Sequence, residues 1–278
     1  MNRQGSEACS IHTHSTLCDG RDTPQAMAAA ACAAGVRYFG FSGHSHTPSP
    51  ADEGCVLPAE PEEYRSTVLG LRREYEGRME ILLGLEWDSQ SDCPLPDGLD
   101  YWIGSVHNLF DPESGRYYPL DWDEASLAAC CIEMFQGSFP ALWGQYFADV
   151  AALAAKKPTV LGHFDLITKL NGDGGIFDEE SPHYRASALA ALHAVSPADT
   201  LLEINTGAMA RGYRRAPYPA PFLLREWRGM GGRVILTSDA HSADAVIYGY
   251  EAAAQAARDA GFTETVLLTA HGPVPCPL

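Results

Sequence analysis

Residues 234–242 read VILTSDAHS, an apolar run followed at once by Asp239 and His241. Such a run suits a strand buried on both faces, as in a parallel sheet. Asp239 and His241 are both metal-ligand types. In an extended segment, residues i and i+2 lie on one side, so the pair can grip one ion. The same arrangement recurs along the chain. IHTHSTLCDG (11–20) sets His12 and His14 at the end of an expected strand, with Asp19 beyond. GFSGHSH (40–46) places His44 after a second apolar run, and LLGLEWD (82–88) brings a third to Glu86. IGSVHN (103–108) and VLGHFDL (160–166) put His107 and His163 straight after two more.

Each signal alone has an ordinary reading: a packed structural histidine or a solvated strand-end carboxylate. Their shared position decides between the readings. Strands are expected over 8–12, 37–42, 80–86, 101–107, 159–163, 200–205 and 233–238, with a possible eighth over 265–269. Helical patterns over 23–34, 62–75, 121–135, 142–155, 182–194, 221–230 and 251–259 lie between them. Thr23 is the expected N-cap of the first helix, ahead of Pro24. This alternation predicts an α/β protein with a parallel sheet. A closed barrel gathers all strand C-termini on one face, whereas an open sheet spreads them along an edge. Convergence of the ligand types therefore favours the barrel. His183, His193 and His271 fall in helices or the tail, and His46 reads as a surface or supporting group.

The remaining composition sets limits. The chain has 278 residues, 46% of them hydrophobic, which suits one globular domain over 1–278. With 36 acidic against 19 basic residues, the net charge is −17. That repels nucleic acid and anionic membranes, and a bound phosphate needs locally supplied positive charge. No run is long enough to span a bilayer. MNRQGSEACS, at the N-terminus, carries no apolar leader segment. The eight cysteines form no CxxC pair, so free thiols in the cytoplasm are expected. Cys131 is expected on an apolar helix face beside Leu127, Met134 and Phe135.

HxH with a downstream Asp, then a His, a Glu, GSVH (104–107), GHFDLITK (162–169), EINTGAMARG (203–212) and SDAH (238–241) resembles the polymerase and histidinol phosphatase (PHP) superfamily. Within it, the chain looks like the monofunctional histidinol-phosphate phosphatases, from about residue 10 to residue 250. The resemblance implies a distorted TIM-like (β/α)7 barrel and a trinuclear metal centre. It puts the first ion on His12, His14, Glu86 and Asp239. The second falls to Glu86, His107 and His163, with Glu86 bridging, and the third to Asp19, His44 and His241. Two departures stand out. Gly43 replaces the Asp many relatives carry before His44, and Gly207 to Arg211 replaces a stretch where many have a Ser and an Arg. Arg211 is therefore the first choice for the phosphate, with Arg116 and Lys169 behind it.

Such a centre suits phosphate esters. Three divalent ions against Asp19, Glu86 and Asp239 leave a positive site in an acidic protein. They also activate water near neutral pH. A histidine-rich ligand set suits two to three Zn, Fe or Mn ions. Glu86, Asp239 and His241 are the expected catalytic set, acting on a small-molecule phosphate monoester, preferably L-histidinol phosphate. Another phosphate ester such as a nucleotide, a binuclear amidohydrolase reaction and a non-catalytic metal module are the alternatives. Trp87, Asp88, Tyr117, Tyr118 and Asp165 are expected near the pocket rim. Oligomeric state is left open.

Overall fold

The computed structural model describes residues 8–172 and 175–278. Most of the stretch read for a leader lies outside the described residues. Seven parallel strand positions form the barrel. They are β1 (Ala8–Ser10), β2 (Val36–Phe41), β3 (Glu80–Leu83) continued by β4 (Glu86–Asp88), β5 (Ile103–Ser105), and then, after a hairpin of β6 (Asn108–Asp111) and β7 (Arg116–Pro119), β8 (Val160–Leu161), β9 (Leu201–Asn205) and β10 (Val234–Thr237). One parallel sheet runs β1-β2-β3 and the other β10-β9-β8-β5-β4. Backbone bonds close the ring at both junctions. His14 N donates to Ala240 O at 2.8 Å and Ala240 N to His12 O at 3.1 Å; Glu86 N donates to Gly43 O at 3.1 Å. The α/β class and the distorted seven-stranded TIM-like barrel are as expected.

The strand expected over 80–86 is interrupted at Gly84. A Cβ there would lie 2.1 Å from the Tyr101 ring, so only glycine leaves the ring its place. The buried Tyr101 hydroxyl reaches the carbonyls of Ile11 and Phe41 across the barrel interior. The strand then continues to Asp88, which sets Glu86 inside it rather than at its end. The possible eighth strand is real but not part of the barrel. β11 (Glu264–Thr269) pairs antiparallel with β12 (Gly272–Pro277). Val266, Leu267 and Leu268 cover the apolar floor made by Cys9, Ile11, Leu82, Ile103, Val160, Leu201 and Ile235.

Helices α1 (Pro24–Ala33), α2 (Glu62–Glu74), α3 (Glu124–Phe135), α4 (Phe139–Ala154), α5 (Pro182–His193), the single turn α6 (Gly207–Ala210), α7 (Pro221–Gly229) and α8 (Tyr250–Asp259) complete the chain. Thr23 caps α1 as expected, accepting from Ala26 N at 3.2 Å. The third helix begins three residues late: Asp123 is its cap, because Asp121 turns inward to Lys169. Both Cys130 and Cys131 are buried, since α3 packs on α4 and on β7. The cysteines form no disulfide among the described residues.

Inward-facing rows carry the apolar floor up into a polar site. Ile103, Ser105 and His107 follow one another on β5 and its extension. Leu201, Glu203 and Asn205 do so on β9, and Ile235 and Thr237 on β10, with Asp239 just beyond its end. The alternate residues Leu202, Ile204 and Val234 face the helices. The period-2 geometry of a strand thus places apolar and ligating residues on one wall, at different heights.

Candidate metal centre

All nine predicted ligands meet at the C-terminal mouth of the barrel. Glu86 is the hub, buried to 1% exposure. Its Oε1 lies 2.9 Å from His163 Nε2 and 3.5 Å from His107 Nε2. Its Oε2 lies 3.1 Å from His12 Nε2, 3.4 Å from His14 Nε2 and 3.0 Å from His44 Nδ1. The two oxygens therefore face two different sets of imidazoles. Asp239 Oδ1 closes the second set, 3.3 Å from His14 Nε2 and 3.7 Å from His12 Nε2. Asp19 gathers a third group: His241 Nε2 at 3.0 Å, His44 Nε2 at 3.5 Å and His14 Nδ1 at 3.5 Å. The His14 ring stacks between those of His44 and His241, at 4.3 and 4.2 Å.

The arrangement fits divalent cations. His12 Nδ1 bonds to Glu203 Oε1 at 2.5 Å, leaving Nε2 its lone pair, aimed at two carboxylates. His12 Nε2, His14 Nε2, Glu86 Oε2 and Asp19 Oδ1 are all buried without a hydrogen-bond partner. Buried acceptors facing one another need positive charge between them. The titration directions agree. Burial alone would lower His107, but Glu86 and Asp88 overcome it and hold the imidazole up at about 9. Against the cost of burial, His12, His44 and His107 hold Glu86 well below the usual carboxylate range. Burial and the neighbouring His241 and His44 push His14 down to about 3. The mix of imidazole nitrogen and carboxylate oxygen suits Zn, Fe or Mn.

Glu203 escaped the sequence reading, and Asp88, expected only near the rim, proves to support a ligand. Glu203, fully buried, accepts from His12 Nδ1, Thr237 Oγ1, His163 N at 2.6 Å and Asn205 Nδ2 at 3.0 Å. Its signal was present: an acidic residue in the middle of the apolar strand LLEIN must face inward or be expelled. Asp88 accepts from His107 N at 3.1 Å and lies 2.9 Å from His107 Nδ1, fixing that ring. Carboxylates behind metal-binding imidazoles orient the ring and raise its basicity. Asp239 adopts φ 46°, a left-handed conformation uncommon outside glycine. Gly207 makes room for it, since a Cβ there would sit 2.6 Å from Asp239 Oδ2.

The three basic candidates separate. Arg211 enters the site: NH2 lies 3.0 Å from Asp239 Oδ2 and NH1 2.8 Å from His241 Nδ1, while Nε is buried without a partner. Lys169 lines the cavity but is paired with Asp121 Oδ2 at 2.8 Å, its ammonium over the Tyr213 ring. Arg116 is a correction. It lies on the exposed β6–β7 hairpin, paired with Glu133, and is not part of the cavity wall. The expected rim is also corrected. Only Asp88 of the five lines the cavity. Trp87 packs edge-on to Trp102, Tyr118 is buried against Glu133, and Asp165 is buried under Ala220 N. His46 pairs with Asp92 at 2.7 Å, at the surface as expected.

A cavity of about 340 Å³ opens over the cluster. Its wall adds Thr47, Asp52, Cys55, Val56, Asp121, Trp122 and Tyr213 to the ligands and Arg211. A seven-stranded parallel barrel whose strand ends converge on buried imidazoles and carboxylates defines a metal-dependent hydrolase of the PHP type. The PHP domain model matches residues 10–207, and the chain belongs to that family. It is 29% identical to a Bacillus subtilis histidinol-phosphatase, over 87% of this chain and 96% of that one. It is 31% identical to a Deinococcus radiodurans protein named probable histidinol-phosphatase, over 91% and 94%. A Lactococcus lactis histidinol phosphate phosphatase, crystallised with zinc, L-histidinol and phosphate, shares the fold. The TM-score is 0.71 at 18% identity, over 97% of this chain and 99% of that one.

Proposed function

We propose that this protein is a metal-dependent phosphomonoesterase that hydrolyses L-histidinol phosphate to L-histidinol and phosphate, a step of histidine biosynthesis. The observation that carries the reading is Glu86, whose two oxygens each face their own set of imidazoles at 2.9–3.5 Å. A carboxylate so placed would suit a bridging role between two ions. The similarity to histidinol-phosphatases over nearly the whole of each chain supports the substrate.

His12, His14, Glu86 and Asp239 would hold one ion, Glu86, His107 and His163 a second, and Asp19, His44 and His241 a third. Two to three Zn, Fe or Mn ions suit these donors. When bound, such ions supply Lewis acidity that makes water nucleophilic at neutral pH and neutralises phosphoryl oxygens. Arg211 would bind the phosphate: it lines the cavity, and its fork is fixed by Asp239 and His241. Lys169 also lines the cavity, where Asp121 neutralises it. Asp239, held as a carboxylate against burial by Arg211 and His12, would hold the first ion through Oδ1 while its Oδ2 fixes Arg211. Glu203 and Asp88 add two negative charges behind the ligands and Arg211 returns one, so a fully loaded centre stays positive.

The test is kcat/KM of the metal-loaded enzyme on L-histidinol phosphate, a nucleoside monophosphate and an aryl phosphate. Histidinol phosphate should lead by at least about tenfold, roughly 1.4 kcal/mol of transition-state preference. A tenfold lead for either rival overturns the substrate and leaves the reaction class.

A further inference from the structure

Five carboxylates line the cavity: Asp19, Asp52, Asp88, Asp121 and Asp239. Four are engaged. Asp19 faces His241 and His44, Asp88 faces His107, Asp121 pairs with Lys169, and Asp239 pairs with Arg211. Asp52 alone has no cationic partner among the described residues. It is nevertheless built into place. It ends the short turn Pro50–Asp52 after β2. Its Oδ2 accepts from Thr47 Oγ1 and from Asn108 Nδ2, the latter at 3.0 Å. Asn108, the residue after His107, is itself buried and takes a bond from Ser49 Oγ at 3.4 Å on its Oδ1. Both protein donors reach the same carboxylate oxygen, so Oδ1 carries no protein donor among the described residues.

A fixed, unpaired anion on the wall of a site that concentrates positive charge at its floor is matched to a ligand of mixed charge. The phosphate end belongs with Arg211 and the ligand cluster. The other end must bring a cation to Asp52. We infer that Asp52 is the specificity residue for the substrate, accepting a hydrogen bond from the protonated amino group of a phosphorylated amino alcohol. The inference rests on the phosphomonoesterase reading above and extends it to the group that separates this substrate from other phosphate esters. Neutral and anionic alcohols would leave Asp52 unpaired as the cavity fills and dries. Discrimination against them is then the cost of a desolvated, unsatisfied carboxylate.

The experiment compares L-histidinol phosphate with its deaminated analogue, 3-(imidazol-4-yl)propyl phosphate, in wild type and D52N. Asparagine keeps the shape and can still accept from Thr47 and Asn108. The wild type should prefer the amine-bearing substrate, and D52N should cut that preference about 30-fold, mostly through KM. An equal effect on both substrates, or none on either, overturns the assignment. So does a loss that appears only with the imidazole and not with the amine, read with 2-aminopropyl phosphate as third substrate. Calorimetric binding of L-histidinol against the deaminated alcohol gives the same comparison without turnover. If the wild type hydrolyses no phosphate ester, the reaction reading fails. The binding comparison still decides Asp52: D52N must lose the preference for L-histidinol, and retention of it overturns the inference.

Discussion

At 0% exposure, Glu203 takes four protein donors and sits behind both His12 and His163. Its carboxylate fixes which nitrogen of His12 faces the cluster. Glu203→Gln keeps the volume but replaces an acceptor oxygen with an amide. Metal affinity or activity should fall about 10- to 100-fold, with the fold retained. Unchanged metal content and kcat would show that Glu203 only fills space. Arg211 makes the opposite kind of prediction. Arg211→Ala should raise KM, or lower kcat if the contact tightens during reaction, and leave the metal content intact. Full activity would move the phosphate contact to Lys169. Gly207 is a third case. Gly207→Ala puts a methyl 2.6 Å from Asp239 Oδ2, so the carboxylate must shift. A shift of this kind costs on the order of 10²-fold in rate. Normal kcat in the variant would contradict the tight fit.

Most of the candidate ligands were legible because they follow a strand, where an apolar run stops and a histidine or aspartate begins; Glu86 instead opens β4, and Asp19 lies in the loop beyond His14. Glu203 and Asn205 were hidden one level deeper. They lie within the strand, and only its period-2 rows show that they continue the inward wall above Leu201. At the scale of elements, the parallel alternation and the cap at Thr23 could be read directly from pattern. The break at Gly84 and the two hairpins could not, because each depends on a tertiary partner. The break accommodates the Tyr101 ring, β11 covers the barrel floor, and β6–β7 packs on α3. The rim was misread for a related reason: neighbours of a ligand alternate outward, which buries Trp87 instead of exposing it to substrate. Tyr101→Phe tests the interior strut. It removes a buried donor from the Ile11 and Phe41 carbonyls and should cost about 1–3 kcal/mol of stability. The loss should appear as a lower melting temperature with kcat per folded molecule preserved. Unchanged melting would mean those carbonyls are satisfied without the hydroxyl.

Across the whole molecule, a chain of net charge −17 gathers nine candidate ligands, the carboxylates behind them and one arginine at one end of its barrel. Without cations, that mouth holds buried acceptors in mutual contact. Ions bind the native arrangement and not the unfolded chain, so they stabilise it by mass action, about 2.7 kcal/mol at a hundredfold excess over Kd. Chelation should therefore lower the melting temperature, and added Zn2+ should restore it. The most direct measurement is an anomalous difference map from crystals grown with Zn2+. The account predicts peaks on both sides of Glu86, one toward His107 and His163 and one toward His12, His14 and Asp239, with a further peak at Asp19, His44 and His241. Full occupancy of crystals by Zn2+ elsewhere, with no peak within coordination distance of either Glu86 oxygen, would contradict it.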